Sequence, residues 1–178
     1  TLAISSAASD VYKRQYKVND GTVDSNVATV SITVNAVNDA PTASDVSAST
    51  DEDSSVDVTL VGSDVDQDDL TYSLVTQASN GTLTLNGSVV TYTPNSDYNG
   101  SDSFTYKVND GELDSNLATV TITVDAVNDA PTASDVSATV DEDSSVDVTL
   151  VGNDVDQDDL TYSLVTQTSN GTLTLNGS

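Results

Sequence analysis

The feature that most constrains this chain is a repeat with a period of 90 residues. YKVNDG begins at Tyr16 and again at Tyr106, NDAPTASDVSA at Asn38 and Asn128, and DEDSSVDVTLVG at Asp51 and Asp141. Residues 38–88 and 128–178 differ only at Ser49/Thr139, Thr50/Val140, Ser63/Asn153 and Ala78/Thr168. Such near-identity reads as recent duplication within a long array. One whole repeat spans residues 40–129; residues 16–39 are the C-terminal strands of a truncated repeat, and residues 130–178 the N-terminal half of a further one.

The match fails abruptly before Tyr16. TLAISSAASDVYKRQ stands where the repeat calls for something like TYTPNSDYNGSDSFT, and it carries Lys13 and Arg14, half of the four basic residues. This stretch resembles translated sequencing-adapter read-through, as in a metagenomic fragment, with a divergent linker as the alternative. Residues 1–15 are therefore set aside from the fold argument.

Within one repeat the apolar residues alternate with period two, as half-buried strands require. The sets are Val56, Val58 and Leu60; Leu70, Tyr72 and Leu74; Leu83 and Leu85; Val90 and Tyr92; Phe104, Tyr106 and Val108; and Ala118, Val120, Ile122 and Val124. With a first strand over 43–49 they make seven strands. Asn80-Gly81, Asn86-Gly87 and Asp110-Gly111 sit between the runs, where primed turns need positive φ. The expected fold class is all-β: tandem seven-stranded antiparallel Greek-key sandwiches. Residues 16–34 then form an orphan hairpin. Residues 131–178 form an incomplete sandwich whose exposed edges invite pairing with other copies.

Twenty-nine acidic residues face four basic ones, a formal net charge of -25. Such a chain repels nucleic acid and anionic membranes and attracts cations. There is no cysteine, hence no disulfide and no thiolate nucleophile, and no histidine to serve a triad or bind a transition metal. Glu52, Glu112 and Glu142 are the only glutamates, and repetition argues against a unique catalytic cleft. The Asn-Gly-Ser/Thr triplets at Asn80, Asn86 and Asn99 read as turns rather than glycosylation sites, Lys107 points outward between Tyr106 and Val108, and Tyr98 reads as a packing corner.

The acidity is concentrated in GSDVDQDDLTYSL, residues 62–74, which places Asp64, Asp66, Asp68 and Asp69 within six residues. It suits a solvated loop, a salt adaptation, or a ligand set for a hard cation. Calcium takes six to eight oxygen ligands in adaptable geometry. The segment is not an EF-hand, because Asp69 stands where glycine is needed and no glutamate occupies the twelfth place.

YKVNDGELDSNLATVTITVDAVNDAP, residues 106–131, resembles the end of a cadherin repeat. GSDVDQDDLTYSL resembles the paired-aspartate segment of that family, and DEDSS, centred on Glu52, its glutamate motif. The chain is most similar to the cadherin-like and Ig-like tandem repeats of large bacterial surface adhesins, RTX-type adhesins included. It departs from classical cadherins in that the linker Asn-Asp pair sits one place later and Asn35 replaces an aspartate.

The resemblance implies Ca²⁺ at the repeat junctions. For the junction at residues 125–131 the implied ligands are Glu52 and Asp97 behind, Asp125, Asn128 and Asp129 in the linker, and Asp154 and Asp156 ahead. For that at residues 35–41 they are Asn38, Asp39, Asp64 and Asp66, with Asp68 joining; Glu142 repeats the place of Glu52. The second junction, with the fuller charge, is expected to bind more tightly.

The implied function is a non-catalytic, calcium-stiffened extender of a long extracellular or cell-surface adhesin. Its partners would be calcium ions, neighbouring repeats and host or cell-surface ligands, with no nucleic acid and no membrane insertion. The alternative is a calcium-independent spacer in a secreted enzyme or carbohydrate-binding protein.

Overall fold

The computed structural model describes residues 10–176, and these form strands and turns without a helix. The chain divides into two units, Thr1–Asp125 and Ala126–Ser178, the division falling at the end of the last strand of the complete repeat. In chain order the first unit holds β1 (Asp10–Tyr16), β2 (Ala28–Val34), β3 (Thr42–Ser44), β4 (Val46–Asp51), β5 (Val56–Thr59), β6 (Val61–Ser63), β7 (Thr71–Leu74), β8 (Gly81–Asn86), β9 (Val89–Pro94), β10 (Gly100–Asn109) and β11 (Ala118–Asp125). The second holds β12 (Thr132–Ser134) and β13 (Val151–Asn153), paired antiparallel.

The complete repeat is an Ig-like sandwich. One sheet has the order β4-β11-β10-β7, the other β5-β9-β8, and β3 pairs with β6 beside them. Alternation puts Ala118, Val120, Ile122 and Val124 of β11 inside with the intervening threonines outside. Phe104, Tyr106 and Val108 of β10 meet Val90 and Tyr92 of β9 across the core. Burial of this apolar surface is the main favourable contribution to folding.

Two expected strands are each broken in two: the first at Asp45, between β3 and β4, and the second at Leu60, between β5 and β6. The break at Asp45 lets the first strand change layers. It starts antiparallel to β6 and continues beside β11, pairing Val46 with Val120 and Asp51 with Asp125. That second pairing is parallel, so the antiparallel expectation holds for every other described ladder and not for this one. The crossing strand meets β11 running in its own direction.

The crossing is held by polar groups. The Tyr106 hydroxyl, buried in the core, accepts the Val61 N–H at 3.1 Å and donates to the Ser44 carbonyl at 2.5 Å. The Asn116 side chain accepts the Ala43 N–H at 3.0 Å and donates to the Ala43 carbonyl at 2.9 Å. The Asp45 carboxylate accepts the Thr119 N–H at 2.7 Å.

Of the expected turns, Gly87 has a φ of 61° in the short β8–β9 connection, and Gly111 a φ of 105° in the longer one after β10. Gly81 is different: it lies within β8, where a Cβ would sit 2.5 Å from Tyr92 Cε2 and 2.6 Å from the Thr93 carbonyl. Glycine is there for close approach, not for a turn. Tyr98 does form a corner, donating its hydroxyl to the Ser101 carbonyl at 2.8 Å.

The residues set aside before Tyr16 enter the fold from Asp10 onward. Asp10 lies opposite Val34 and Tyr16 opposite Ala28, the register that Gly100 and Tyr106 keep with Val124 and Ala118. An antiparallel ladder is made by main-chain groups, so a sequence that departs from the repeat can complete it. Residues 1–9 lie outside the described residues. In the second unit, residues 135–150 and 154–176 carry no strand.

Two carboxylates are buried among the described residues, Glu52 and Asp102, the latter on β10. Asp102 accepts N–H groups from Ser79 at 3.0 Å, Asn80 at 2.8 Å and Ser103 at 2.8 Å, and the Tyr92 hydroxyl at 3.1 Å. Burial alone would raise its pKa, but these donors together hold it below the usual carboxylate range, while burial and the Asp102 charge push the Tyr92 phenol up.

Two predictions follow from these buried polar groups. Tyr106→Phe leaves the Val61 N–H and the Ser44 carbonyl without their partner and should lower unfolding free energy by about 1–3 kcal/mol in a urea titration. Asp102→Asn should cost about 2 kcal/mol at neutral pH. Because the folded pKa of Asp102 lies below its unfolded value, its contribution is present above about pH 4 and is lost as pH falls through the folded value. Melting curves should therefore show wild type and Asp102→Asn converging in acid.

Candidate functional site

The loop from β6 to β7 is built around its first carboxylate. Asp64 Oδ1 accepts the N–H of Asp66 at 2.8 Å and of Asp68 at 3.4 Å, folding the chain back on itself. Gln67 completes the turn with a left-handed φ of 65°. The preceding linker is tied in: Asp66 Oδ2 accepts the Asp39 N–H at 2.7 Å, and Asn38 donates its side-chain amide to Asp110 at 2.9 Å.

Carboxylate oxygens of Asp64, Asp66 and Asp68 lie within 4.8 Å of one another. Two oxygens each about 2.4 Å from a shared calcium ion can be at most about 4.8 Å apart, a condition that all three pairs meet. Asp64 Oδ2 is buried and has no hydrogen-bond partner. Desolvation, and then the like charges of Asp64, Asp66, Asp110 and Asp69, raise the pKa of the exposed Asp68. Asp110 is held low by the Leu113 N–H, the Asn38 amide and the Glu112 N–H. The donor set is all oxygen, negatively charged and crowded, which fits a hard divalent cation.

The second unit builds the same arrangement from the same sequence. Asp154 Oδ1 accepts the Asp158 N–H at 3.2 Å, Asp156 Oδ2 accepts the Asp129 N–H at 2.7 Å, and Gln157 has a φ of 63°. Oxygens of Asp154, Asp156 and Asp158 again lie within 4.8 Å of one another. The loop therefore takes its shape from local hydrogen bonds, since β7 has no counterpart strand there.

The remaining expected ligands divide by place. Glu52 is 4% exposed, and its N–H donates to the Asp125 carbonyl at 2.9 Å. Asp97 donates its N–H to Asp53 at 3.3 Å, and Asp53 and Asp97 both have positive φ, 58° and 56°. Asp97 precedes β10 and Asp110 follows it. At about 3.3 Å per residue, this ten-residue strand separates the two groups by about 30 Å. Glu52, Asp97 and Asp125 are thus at one end of the complete repeat, and Asn38, Asp39, Asp64, Asp66 and Asp68 at the other. Asn128 donates its side-chain amide to the Asp129 carbonyl at 2.9 Å. Glu142 is exposed on a turn that repeats the one at Glu52, with Asp143 at a φ of 61°.

Sequence reasoning missed Asp110, which reads as a turn residue in VNDG, and Asp158, the counterpart of Asp68 one period on.

A family model described as Bacterial Ig domain matches residues 38–123 and 128–178, the two matches starting one period apart. Among curated proteins the chain is similar to integrin beta-like protein B of Dictyostelium discoideum, at 29% identity over 156 residues, covering 74% of this chain and 8% of that protein. It is also similar to integrin beta-like protein A of the same organism, at 33% over 147 residues, covering 68% and 7%. The chain thus spans under a tenth of either relative's length. Among solved structures it is similar to the protocadherin GammaB4 extracellular domain, with 15% identity, TM-score 0.44, and coverage of 72% of this chain and 26% of that one. An endo-fucoidan hydrolase of glycoside hydrolase family 107 gives 18% identity, TM-score 0.41 and coverage of 71% and 21%.

The crowding at Asp68 has a consequence without any ligand. Its folded pKa is raised, so its ionised form opposes folding above that pKa, and the penalty fades as pH falls toward the ordinary value. In chelator at low ionic strength and neutral pH, Asp68→Asn should melt higher than wild type, and added salt should narrow the difference. Differential scanning calorimetry reads both.

Proposed function

This chain belongs to the bacterial Ig domain family, and from that premise we propose that it is a non-catalytic, calcium-binding repeat of a long extracellular or cell-surface protein, an extender within an adhesin. The observation that carries the reading is the carboxylate cradle of Asp64, Asp66 and Asp68, with its orphaned buried oxygen, built again from Asp154, Asp156 and Asp158. A bound calcium ion supplies the positive charge that this cluster lacks. Asp64 and Asp66 offer oxygens while their hydrogen bonds hold the loop, and the Asp39 N–H on Asp66 couples that loop to the linker. Filling the cradle would then restrain the linker and stiffen the array.

The absence of histidine and cysteine from the sequence, and the recurrence of the Asp64 loop at Asp154, support a non-catalytic role. The likeness to proteins named integrin beta-like supports an adhesive one. Among the described residues no helix is long and apolar enough to cross a membrane.

Calcium in excess over chelator should raise the melting temperature of the chain. At a free concentration 100 times Kd the gain is about 3 kcal/mol. Asp64→Asn and Asp154→Asn should each remove part of the response, and the double variant most of it. Equal melting in calcium and in EDTA, or full replacement of calcium by sodium at matched ionic strength, would sink the proposal and leave the loops as salt-adapted surface.

A further inference from the structure

The complete repeat holds three Asn-Gly pairs, at Asn80, Asn86 and Asn99, each followed by serine or threonine. In an unfolded chain their chemistry is alike. The side-chain carbonyl carbon of asparagine, Cγ, is an electrophile within reach of the next residue's main-chain nitrogen. Glycine has no Cβ to screen that nitrogen. Ring closure makes two demands on a folded chain. The planar Asn-Gly peptide must turn as a unit, carrying the asparagine carbonyl and the glycine N–H with it. The glycine N–H must also be open to base.

The fold treats the three pairs differently. At Asn80 the carbonyl accepts the Asn95 N–H at 2.8 Å, and the Asn80 N–H is held by Asp102 at 2.8 Å. Gly81 is pressed against the Tyr92 ring, so this peptide cannot turn without breaking into the core. Asn99 is exposed, but Gly100 is already paired with Val124 at the start of β10, and the Tyr98 hydroxyl lies 3.2 Å from where its Cβ would stand. Asn86 is exposed at the end of β8, and its side chain makes no hydrogen bond among the described residues. Gly87 opens the two-residue turn to β9 with a φ of 61°. Its N–H has no acceptor among the described residues, and nothing lies within 4 Å of where a Cβ would stand. The peptide is restrained only by the last pair of the ladder, Asn86 with Val89.

We propose that Asn86 is a site of spontaneous conversion to aspartate and isoaspartate through a succinimide, and that the fold withholds Asn80 and Asn99 from the same reaction. Hydroxide removes the Gly87 amide proton, and the nitrogen lone pair forms a bond to Asn86 Cγ. The Cγ–Nδ2 bond breaks, and Nδ2 takes a proton from water and leaves as ammonia. Water then opens the ring at either carbonyl. Cleavage of the new N–Cγ bond gives aspartate, and cleavage of the original main-chain bond gives isoaspartate. One water enters, one ammonia departs, and nothing is oxidised or reduced.

The place of this hairpin gives the reaction a consequence. Gly87 and Ser88 line one groove with Leu70 and Thr71, which directly follow Asp68 and Asp69. Conversion therefore adds a negative charge at the end of the repeat that already carries the Asp64 loop. The isoaspartate product also inserts a methylene into the main chain at the turn.

Peptide mapping of the whole chain after incubation at alkaline pH tests this. Cleavage after Lys17 and Lys107 gives one peptide, residues 18–107, that carries all three pairs. Fragmentation in the mass spectrometer then reads each site by itself. Asn86 should convert first, to a mixture of aspartate and isoaspartate, and Asn80 should be at least about tenfold slower, as the loss of its buried hydrogen bonds requires. Asn86→Gln should abolish the fast conversion. In guanidinium chloride the three sites should approach a common rate, because the protection belongs to the fold. An unchanged Asn86 in the folded chain, conversion of Asn80 or Asn99 as fast as that of Asn86, aspartate formed without isoaspartate, or the same ranking kept in guanidinium chloride would overturn the proposal.

Discussion

A single buried hydroxyl, that of Tyr106 on the central strand β10, organises the sandwich. A chain without cysteine must hold its two sheets together by packing and by satisfied polar groups. The first strand begins in one layer and ends in the other, and where it crosses it would leave main-chain groups without partners. Tyr106 reaches both Ser44 and Val61 at that crossing. Two residues before it is Phe104 and two before that Asp102, which does for the loop at Ser79 and Asn80 what Tyr106 does for the crossing. One inward-facing row therefore supplies both the apolar core and the two polar anchors, and β4, β7 and β11 take their places around it.

The electrostatic layout complements this core. The acidic residues lie mostly in loops, linkers and strand ends; Asp57 is on the outer face of β5, and Asp102 and Glu52 are buried. Lys17 and Lys107 are each paired with an aspartate of their own hairpin, Asp24 and Asp114. The loop at Asp64 is thus left with negative charge that the protein itself does not balance. Under the proposed function, an ion from the surroundings would supply the charge that balances this rim.

How much of this was legible follows from the range of each interaction. The alternating runs that became β8 to β11 were visible because burial imposes a period of two on neighbouring residues. The carboxylate loop was visible because its shape comes from contacts two and four residues apart, and it forms twice. The break at Asp45, the parallel partner of β4 and the role of Gly81 were not visible. Each depends on a residue far along the chain: Thr119, Val120 and Tyr92. Asp110 was hidden for the same reason, since only its bond to Asn38 places it beside the loop. Asp10 to Gln15 break the repeat and resemble adapter read-through, and their ladder with β2 is made by main-chain groups that leave no side-chain signature.

The parallel pairing of β4 with β11 bears on how such a repeat transmits force. These are the first long strand and the last of the complete repeat, side by side over six residue pairs and pointing the same way. Tension along an array pulls the start of β4 and the end of β11 in opposite directions, so the two strands are asked to slide past each other. Every hydrogen bond between them is then loaded together, rather than opening one after another as in a peeled hairpin. A unit wired in this way resists stretching through the pairing of its own ends, and its resistance is a matter of unfolding rate more than of equilibrium stability.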